Sequence, residues 1–153
     1  MSRAFSHLVA VVFLLVSSGV FASAKQLAVV VDKTNTVSSM SAGELTKVFK
    51  FDNRKWPDGR EVVLVMLDPS SPQMKVVADK LYHMSSDDVK NLLLKNRGGV
   101  VLVNSEDQLL KSVESIPGAV GIVDVYSINS RVNVLKVDGK LPLEQGYFLK
   151  GSQ

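Results

Sequence analysis

Two adjacent serines between prolines make the segment from Asp68 to Gln73 the clearest candidate for chemistry in this chain of 153 residues. The segment follows the apolar run Glu61 to Leu67 and precedes a helical apolar pattern. An oxyanion could bind there, because the first turn of a helix has free backbone N–H groups and a positive partial charge. Ser70, Ser71 and Gln73 would add further donors. A serine before a helix often only caps it, so capping alone and capping with anion binding are both open.

Two other polar segments also follow predicted strands. In open α/β sheets, ligands bind beyond the carboxyl ends of the strands, and all three segments qualify by that rule. The segment at residues 32–41 is rich in hydroxyl and amide side chains, and the one at residues 124–127 contains Ser127. The predicted ligand-binding residues are Thr34, Ser38, Ser39, Ser70, Ser71 and Gln73.

Catalytic and metal-binding chemistry are the weaker interpretations of this sequence. The chain has no cysteine, which excludes disulfides, thiol nucleophiles and cysteine metal sites. It has no Walker loop, no Gly-x-Gly-x-x-Gly motif and no His-Glu-x-x-His motif. A hydrolase would have to use Asp68, Asp124 and His83, and no nucleophile-elbow sequence lies near that histidine. We therefore expect a protein without catalytic residues, metal or cofactor.

The first 24 residues have the features of a secretory signal peptide. Arg3 is followed by an unbroken apolar run from Leu8 to Val16, and Ala22-Ser23-Ala24 is acceptable to a signal peptidase. A membrane anchor is the alternative, but the apolar run is shorter than the roughly 20 residues that span a bilayer. Because Lys25 and not cysteine follows the predicted cleavage point, no lipid anchor is expected. The predicted location is periplasmic or secreted.

Residues 25–153 are predicted to form a single domain. Removing 24 residues from 153 leaves 129, with 17 basic and 15 acidic side chains and a net charge of +2. This weak, scattered charge does not indicate a nucleic-acid partner. A chain of this size buries enough surface to fold alone.

Three continuous apolar runs, at residues 27–31, 61–67 and 119–123, are typical of strands buried on both faces of a largely parallel sheet. Gly121 within the third run indicates a close backbone approach. Shorter strands are expected at residues 100–103 and 132–137.

Helix signals alternate with these strands. Ser41 and Glu44 form a capping box, Pro72 opens a second helix, Ser85 caps a third, and Asn104 or Ser105 caps a fourth. The alternation predicts an α/β fold, specifically a three-layer sandwich with a mixed, mostly parallel sheet.

The least regular segment, residues 47–60, carries five basic residues around Trp56. A solvated loop and an interaction patch are both open interpretations.

Five motifs follow one another along the chain: residues 35–49, Trp56-Pro57-Asp58-Gly59, Ser70-Ser71-Pro72, residues 117–122 and residues 134–140. Together they resemble the small phosphate ABC transporter substrate-binding-like proteins, which are related to the periplasmic phosphate-binding proteins. The resemblance implies the type II periplasmic binding protein fold, of which 129 residues suffice for one lobe. It also implies phosphate or a similar oxyanion as the ligand, with Ser70 and Ser71 at a helix N-terminus; the arginine that classical phosphate sites use has no counterpart after that turn.

The function expected from the residues and the resemblance is an exported, non-catalytic binding module for a phosphate-like oxyanion in uptake or sensing. An inner-membrane transporter or another envelope protein would be its partner. The alternative is a protein-interaction module of the cell envelope that keeps the fold without binding a ligand. It would dock through the loop around Trp56 or through the irregular tail at residues 141–153.

Overall fold

The computed structural model describes residues 25–151 and shows a five-stranded sheet flanked by helices. The signal peptide predicted at residues 1–24 lies outside the described residues and stays a prediction. The strands are β1 (Leu27–Asp32), β2 (Ser39–Met40), β3 (Val63–Leu67), β4 (Val100–Val103), β5 (Ala119–Asp124), β6 (Val132–Val134) and β7 (Lys136–Val137). The helices are α1 (Ala42–Phe49), α2 (Pro72–Val77), α3 (Ser86–Lys95) and α4 (Glu106–Ser115).

The main sheet has the strand order β4-β3-β5-β1-β6. Strand β3 is parallel to β4 and β5, whereas β1 is antiparallel to both β5 and β6. Four strands therefore share one direction, and the prediction of a mixed, mostly parallel sheet is confirmed. The apolar run of β1 suggested a parallel strand, and this detail was wrong. Helices cover both faces of this sheet, so a central strand becomes apolar throughout in either direction.

The helices lie on both faces of the sheet because its two parallel crossovers run in opposite directions. Strand β3 leads through α2 and α3 to β4 on one side, and β4 leads back through α4 to β5 on the other side of β3. Since such crossovers are right-handed, α4 packs on the face opposite to α2 and α3. The carboxyl ends of β3 and β5 therefore flank a topological switch point.

Gly121 lets α4 pack directly onto the middle of the sheet. A Cβ atom at this position would lie 2.6 Å from Cδ2 of Leu109 on α4 and 3.1 Å from the carbonyl oxygen of Val65 on β3. The close backbone approach predicted for Gly121 is thus confirmed, and it fixes the depth of α4.

Serine caps start all four helices. Ser41 accepts a hydrogen bond from the Glu44 N–H at 3.1 Å, and the Glu44 carboxylate accepts one from the Ser41 N–H at 2.9 Å, which confirms the capping box. Helix α2 continues at Val77 into a π-helical turn, Ala78–Tyr82, and ends at His83 with φ of 52°. The remaining caps are Ser71, Ser85 and Ser105.

The last predicted strand is divided in two. The buried Leu135 separates β6, which joins the main sheet, from β7, which pairs with β2 in a small parallel ribbon. The following tail is irregular as predicted, yet it buries Tyr147 and Leu149. The Leu149 carbonyl also accepts a hydrogen bond from the Leu27 N–H at 2.9 Å, so the tail is part of the core.

Trp56 is a core residue and not a docking residue. Its side chain is only 3% exposed, and its Nε1 donates to the Gly118 carbonyl oxygen at 2.9 Å. Of the two interpretations of residues 47–60, docking through the Trp56 side chain is therefore excluded. The neighbouring Arg54 and Lys55 are exposed, as expected of a solvated loop.

Candidate functional site

A cavity of about 500 Å³ opens at the switch point between the carboxyl ends of β3 and β5. Ligands of open α/β sheets bind in this position. Three loops form the cavity, one after each of the parallel strands β3, β4 and β5. Lys25, which precedes β1, completes it. The polar lining residues are Lys25, Asp68, Ser71, Gln73, Asn104, Ser105, Glu106, Asp124 and Ser127.

Two helices, α2 and α4, begin at this cavity. Ser71 accepts from the Met74 N–H at 3.3 Å, and Ser105 accepts from the Gln108 N–H at 3.2 Å, so each serine satisfies one first-turn donor. At α4 the cap leaves further first-turn N–H groups available. At α2 Pro72 has no N–H and the Ser71 N–H donates to the Asp68 carbonyl oxygen at 2.9 Å, so the Gln73 N–H is the first-turn donor that remains. The two helix dipoles add positive partial charge at the same place. The hydroxyls and helix starts therefore offer an anion several donors.

The side-chain charges in the cavity oppose the binding of an anion. Asp68, Glu106 and Asp124 line the cavity, and Lys25 is the only basic side chain in its lining within residues 25–151. Glu106 holds the loop after β5 in place, because it accepts from the Asp124 N–H at 2.7 Å and from the Ser127 hydroxyl. A fully ionised anion would be repelled by these carboxylates.

Ser70 donates two hydrogen bonds to the same carboxylate oxygen of Asp68, Oδ1. The Ser70 hydroxyl lies 2.6 Å away and the Ser70 N–H 2.8 Å away. These hydrogen bonds lower the pKa of Asp68 below its usual value. The negative charge at the mouth of the cavity is therefore a stable feature.

The structure separates the predicted serine pair. Ser71 lines the cavity, but Ser70 lines a neighbouring groove between α3 and β4, and its hydroxyl is already donated to Asp68. Gln73 lines the cavity as well, and its buried Nε2 donates to the Ile122 carbonyl oxygen at 2.9 Å. That amide N–H joins α2 to β5 and is not a spare donor.

The other three predicted residues lie at the opposite edge of the sheet. Because β1 is antiparallel to β5, with Leu27 opposite Asp124 and Val31 opposite Val120, the carboxyl end of β1 meets the amino end of β5. The expectation that all three polar segments share one crevice was therefore wrong. Thr34 accepts a hydrogen bond from Arg60 Nη1 at 2.7 Å, and Ser38 and Ser39 line a separate cavity beside Trp56.

Arg60 organises a second polar cluster at that opposite edge. Its Nε donates to Asp58 Oδ2 at 2.8 Å, and its Nη1 lies 3.4 Å from Oδ2 of the buried Asp32. The Arg60 backbone N–H and guanidinium together lower the pKa of Asp58 despite some desolvation. Asp32 also accepts from the Gly118 N–H at 3.3 Å. The cluster closes the turn after Trp56 onto the end of β1, so it is structural.

The loop after β4 was missing from the predicted site. Asn104, Ser105 and Glu106 line the cavity, although the sequence indicated only that Asn104 or Ser105 caps a helix. The predicted strand at residues 100–103 could have indicated this loop. If that strand is parallel to β3, its carboxyl end lies at the same edge of the sheet as the carboxyl end of β3. Lys25 was missed because β1 was expected to run in the other direction.

The residues considered for hydrolysis are only partly brought together. Asp68 and Asp124 line the cavity, whereas the exposed His83 is not among its lining residues. Within residues 25–151, no group of three or more histidines and carboxylates could hold a metal ion. In the same part of the chain, no helix is long and apolar enough to cross a membrane.

Comparison by sequence finds no matching family model and no matching curated protein. Comparison by structure does find matches. An ABC-type phosphate transport receptor from Vibrio cholerae superposes with a TM-score of 0.66 at 19% identity, over 78% of this chain and 48% of that one. PstS from Borrelia burgdorferi superposes with a TM-score of 0.71 at 15% identity, over 84% of this chain and 55% of that one. A phosphate-binding protein from Stenotrophomonas maltophilia superposes with a TM-score of 0.67 at 16% identity, over 78% of this chain and 40% of that one.

At these identities the likeness shows the fold alone. The chain has the fold of one lobe of a type II periplasmic binding protein, which confirms the fold implied by the family resemblance. It spans about half the length of the solved structures it matches, between 40% and 55% for these three.

Proposed function

We propose that this protein is an exported, non-catalytic binding module for phosphate, which it holds in the cavity at the switch point. The observation that carries the proposal is the convergence of two serine-capped helix starts, those of α2 and α4, on one cavity with three serine hydroxyls. The fold supports it, since the solved proteins of the same fold include phosphate receptors.

The acidic side chains of the cavity favour an oxyanion that still carries a proton. Asp124 uses Oδ1 to accept from the Tyr126 N–H at 2.9 Å, and Asp68 uses Oδ1 to accept from Ser70. Within residues 25–151, neither Oδ2 atom accepts a hydrogen bond, so each is free to accept one from a P–OH group. A carboxylate acceptor is costly to desolvate without a donor. Phosphate retains a proton at neutral pH and sulfate does not, so we expect phosphate to be preferred.

Isothermal titration of residues 25–153 with phosphate and with sulfate tests the proposal. We expect phosphate to release or absorb heat with a saturable 1:1 isotherm, and sulfate to bind more weakly. Folding is verified by circular dichroism in the same buffer. Absence of any heat at millimolar phosphate, from folded protein, would overturn phosphate binding.

The proposed partner is an inner-membrane transporter or another envelope protein, in a system for phosphate uptake or sensing. Because the chain spans about half of the proteins it matches, a partner would cover the side of the cavity that a second lobe covers in a two-lobed protein. Export is tested by the mass of the protein recovered from the periplasm, which should correspond to a chain beginning at Lys25.

A protein-interaction module without a ligand is the second candidate. The three carboxylates facing one lysine in the cavity favour it, because they weaken the site for any anion. The two candidates separate clearly: an interaction module gives no heat with phosphate yet retains an envelope protein in pull-downs. Since Trp56 is buried, the suitable surface variant is Lys55→Glu, with Lys33→Glu as an exposed control.

A further inference from the structure

Strand β4 forms an open edge of the five-stranded sheet. Alternate residues of an edge strand direct their N–H and C=O groups away from the sheet, where another strand can pair with them. No other strand within residues 25–151 pairs with this side of β4. Leu102 in the middle of the strand has 56% of its surface exposed, which is unusual for a leucine in a sheet. The edge therefore combines unpaired backbone groups with an exposed apolar side chain.

An apolar groove of about 320 Å³ runs between this edge and helix α3. Leu102 and Val100 line it from the strand, and Leu93 and Leu94 line it from the helix. Leu94 is 52% exposed, so two large exposed leucines lie on the same face of the sheet. Such a contiguous apolar surface indicates a contact with another molecule.

The groove has opposite charges at its two ends. Helix α3 runs back along β4, because only three residues, Arg97–Gly99, connect them. Asp87 in the first turn of α3 and Asp68 after β3 lie at the carboxyl end of the strands, whereas Arg97 lies at the amino end of β4. Lys90 lies one turn after Asp87 and offsets part of the acidic charge. Arg97 makes no ion pair within residues 25–151.

We propose that the occupant of this groove is a second copy of the chain, paired antiparallel through β4. Two adjacent antiparallel strands of identical chains are related by a twofold axis perpendicular to the sheet. A residue on that axis pairs with itself, and the exposed Leu102 is the residue placed there. The result is one continuous sheet of ten strands across an isologous interface.

The charges of the groove favour a second copy over an unrelated peptide. A twofold axis through Leu102 brings the acidic end of one groove beside the basic end of the other, so that Asp87 lies near Arg97 of the partner subunit. The two α3 helices run antiparallel on the same face of the joined sheet. Self-complementary charge of this kind is what a symmetric interface requires.

Cysteine cross-linking tests the register directly, because the chain has no cysteine of its own. In the variant Leu102→Cys the two cysteines would lie directly opposite each other across the axis, with Cα atoms about 4.5–5.5 Å apart, a separation that a disulfide accepts. We expect rapid formation of a covalent dimer under mild oxidation. The control is Lys33→Cys, at an exposed position beyond the end of β1, which should cross-link far more slowly.

Charge reversal tests the orientation. Arg97→Glu and Asp87→Lys should each raise the dissociation constant measured by sedimentation equilibrium about tenfold, and the double variant should return to within about threefold of the parent. Circular dichroism verifies that each variant is folded. Two results would overturn the proposal: a folded parent that stays monomeric up to millimolar concentration, or a Leu102→Cys variant that cross-links no faster than Lys33→Cys. Phosphate titration of the monomeric variants keeps this outcome separate from the proposed ligand binding.

Discussion

The indole Nε1 of Trp56 donates a buried hydrogen bond to the carbonyl oxygen of Gly118, 62 residues further along the chain. The bond joins the turn before β3 to the turn before β5. The Gly118 N–H in turn donates to Asp32 at the end of β1. Three turns at the amino edge of the parallel strands are thus held together, on the side of the sheet opposite to the proposed phosphate cavity.

Replacing Trp56 with phenylalanine tests this contact. The variant removes one of the two hydrogen bonds that the Gly118 carbonyl accepts, the other coming from the Val63 N–H at 3.0 Å, and it opens a small cavity. We therefore expect the free energy of unfolding to fall by about 2 kcal/mol. Urea denaturation followed by far-ultraviolet circular dichroism measures it. Tyr126→Phe is the control, because Tyr126 is 88% exposed and its loss should cost less than about 0.5 kcal/mol. Equal losses in both variants would contradict a core role for Trp56.

Gly118 and Gly59 form a matched pair for backbone strain. Both have positive φ, 82° and 87°, but a Cβ at Gly118 would collide with the Glu61 carbonyl oxygen, whereas nothing lies within 4 Å of one at Gly59. We expect Gly59→Ala to cost about 1 kcal/mol through strain alone. Gly118→Ala should cost more than about 3 kcal/mol or prevent folding, since backbone must move as well. Thermal denaturation compares them, and a similar melting temperature for the two would contradict the predicted clash.

Asp124→Asn should alter the choice between oxyanions. The asparagine side chain has an NH₂ group in place of one carboxylate oxygen, and this group donates to a fully ionised oxygen instead of accepting a hydrogen bond from P–OH. We expect weaker phosphate binding, stronger sulfate binding and loss of most of the preference in titration calorimetry. Asp107→Asn is the control, because Asp107 is exposed on α4 and pairs with Lys111 outside the cavity. An unchanged ratio of the phosphate and sulfate affinities would exclude Asp124 as the acceptor of the hydrogen bond from P–OH.

Acid should destabilise the protein partly through Asp58. Hydrogen bonds from the Arg60 N–H and guanidinium lower the pKa of Asp58 in the folded state. Between these two pKa values the folded state therefore binds fewer protons than the unfolded chain. The stabilisation is present above about pH 4, the pKa of Asp58 in the unfolded chain, and it is lost as the pH falls through the lower pKa of the folded state. In Asp58→Asn we expect a smaller free energy of unfolding at pH 7 and a shallower decline below about pH 4. Urea denaturation across that range measures it, with Asp52→Asn as an exposed control; identical slopes in parent and Asp58→Asn would contradict the assignment.

The sequence was sufficient for the elements and for the α/β class, because both depend on local patterns. Serine caps at Ser41, Ser71 and Ser85 started helices where expected, and Gly121 was correctly interpreted as a close approach. Strand direction depends instead on pairing between distant segments. The apolar run of β1 suits a buried strand in either direction, so no local signal revealed its reversal.

The site was only partly predictable for the same reason. Because β1 runs opposite to the expected direction, Thr34, Ser38 and Ser39 lie at the opposite edge of the sheet and Lys25 lies at the cavity. Ser71 and Gln73 line the cavity because they follow β3 directly, and their role in ligand binding stays a prediction. Their neighbours across the cavity, Asn104 and Glu106, follow β4, whose short apolar run gave little indication of its position in the sheet.

The reversed strand also governs the order in which the protein can be assembled during synthesis. Strand β1 emerges from the ribosome first, yet its hydrogen-bonding partners are β5 and β6, which begin at Ala119 and Val132. The tail that covers its start, at Leu149, is made later still. Strand β1 therefore cannot pair in the main sheet until β5 and β6 have been translated. Contacts of such long sequence separation form slowly, so we expect the pairing of β1 with β5 and β6 to be a late step of folding.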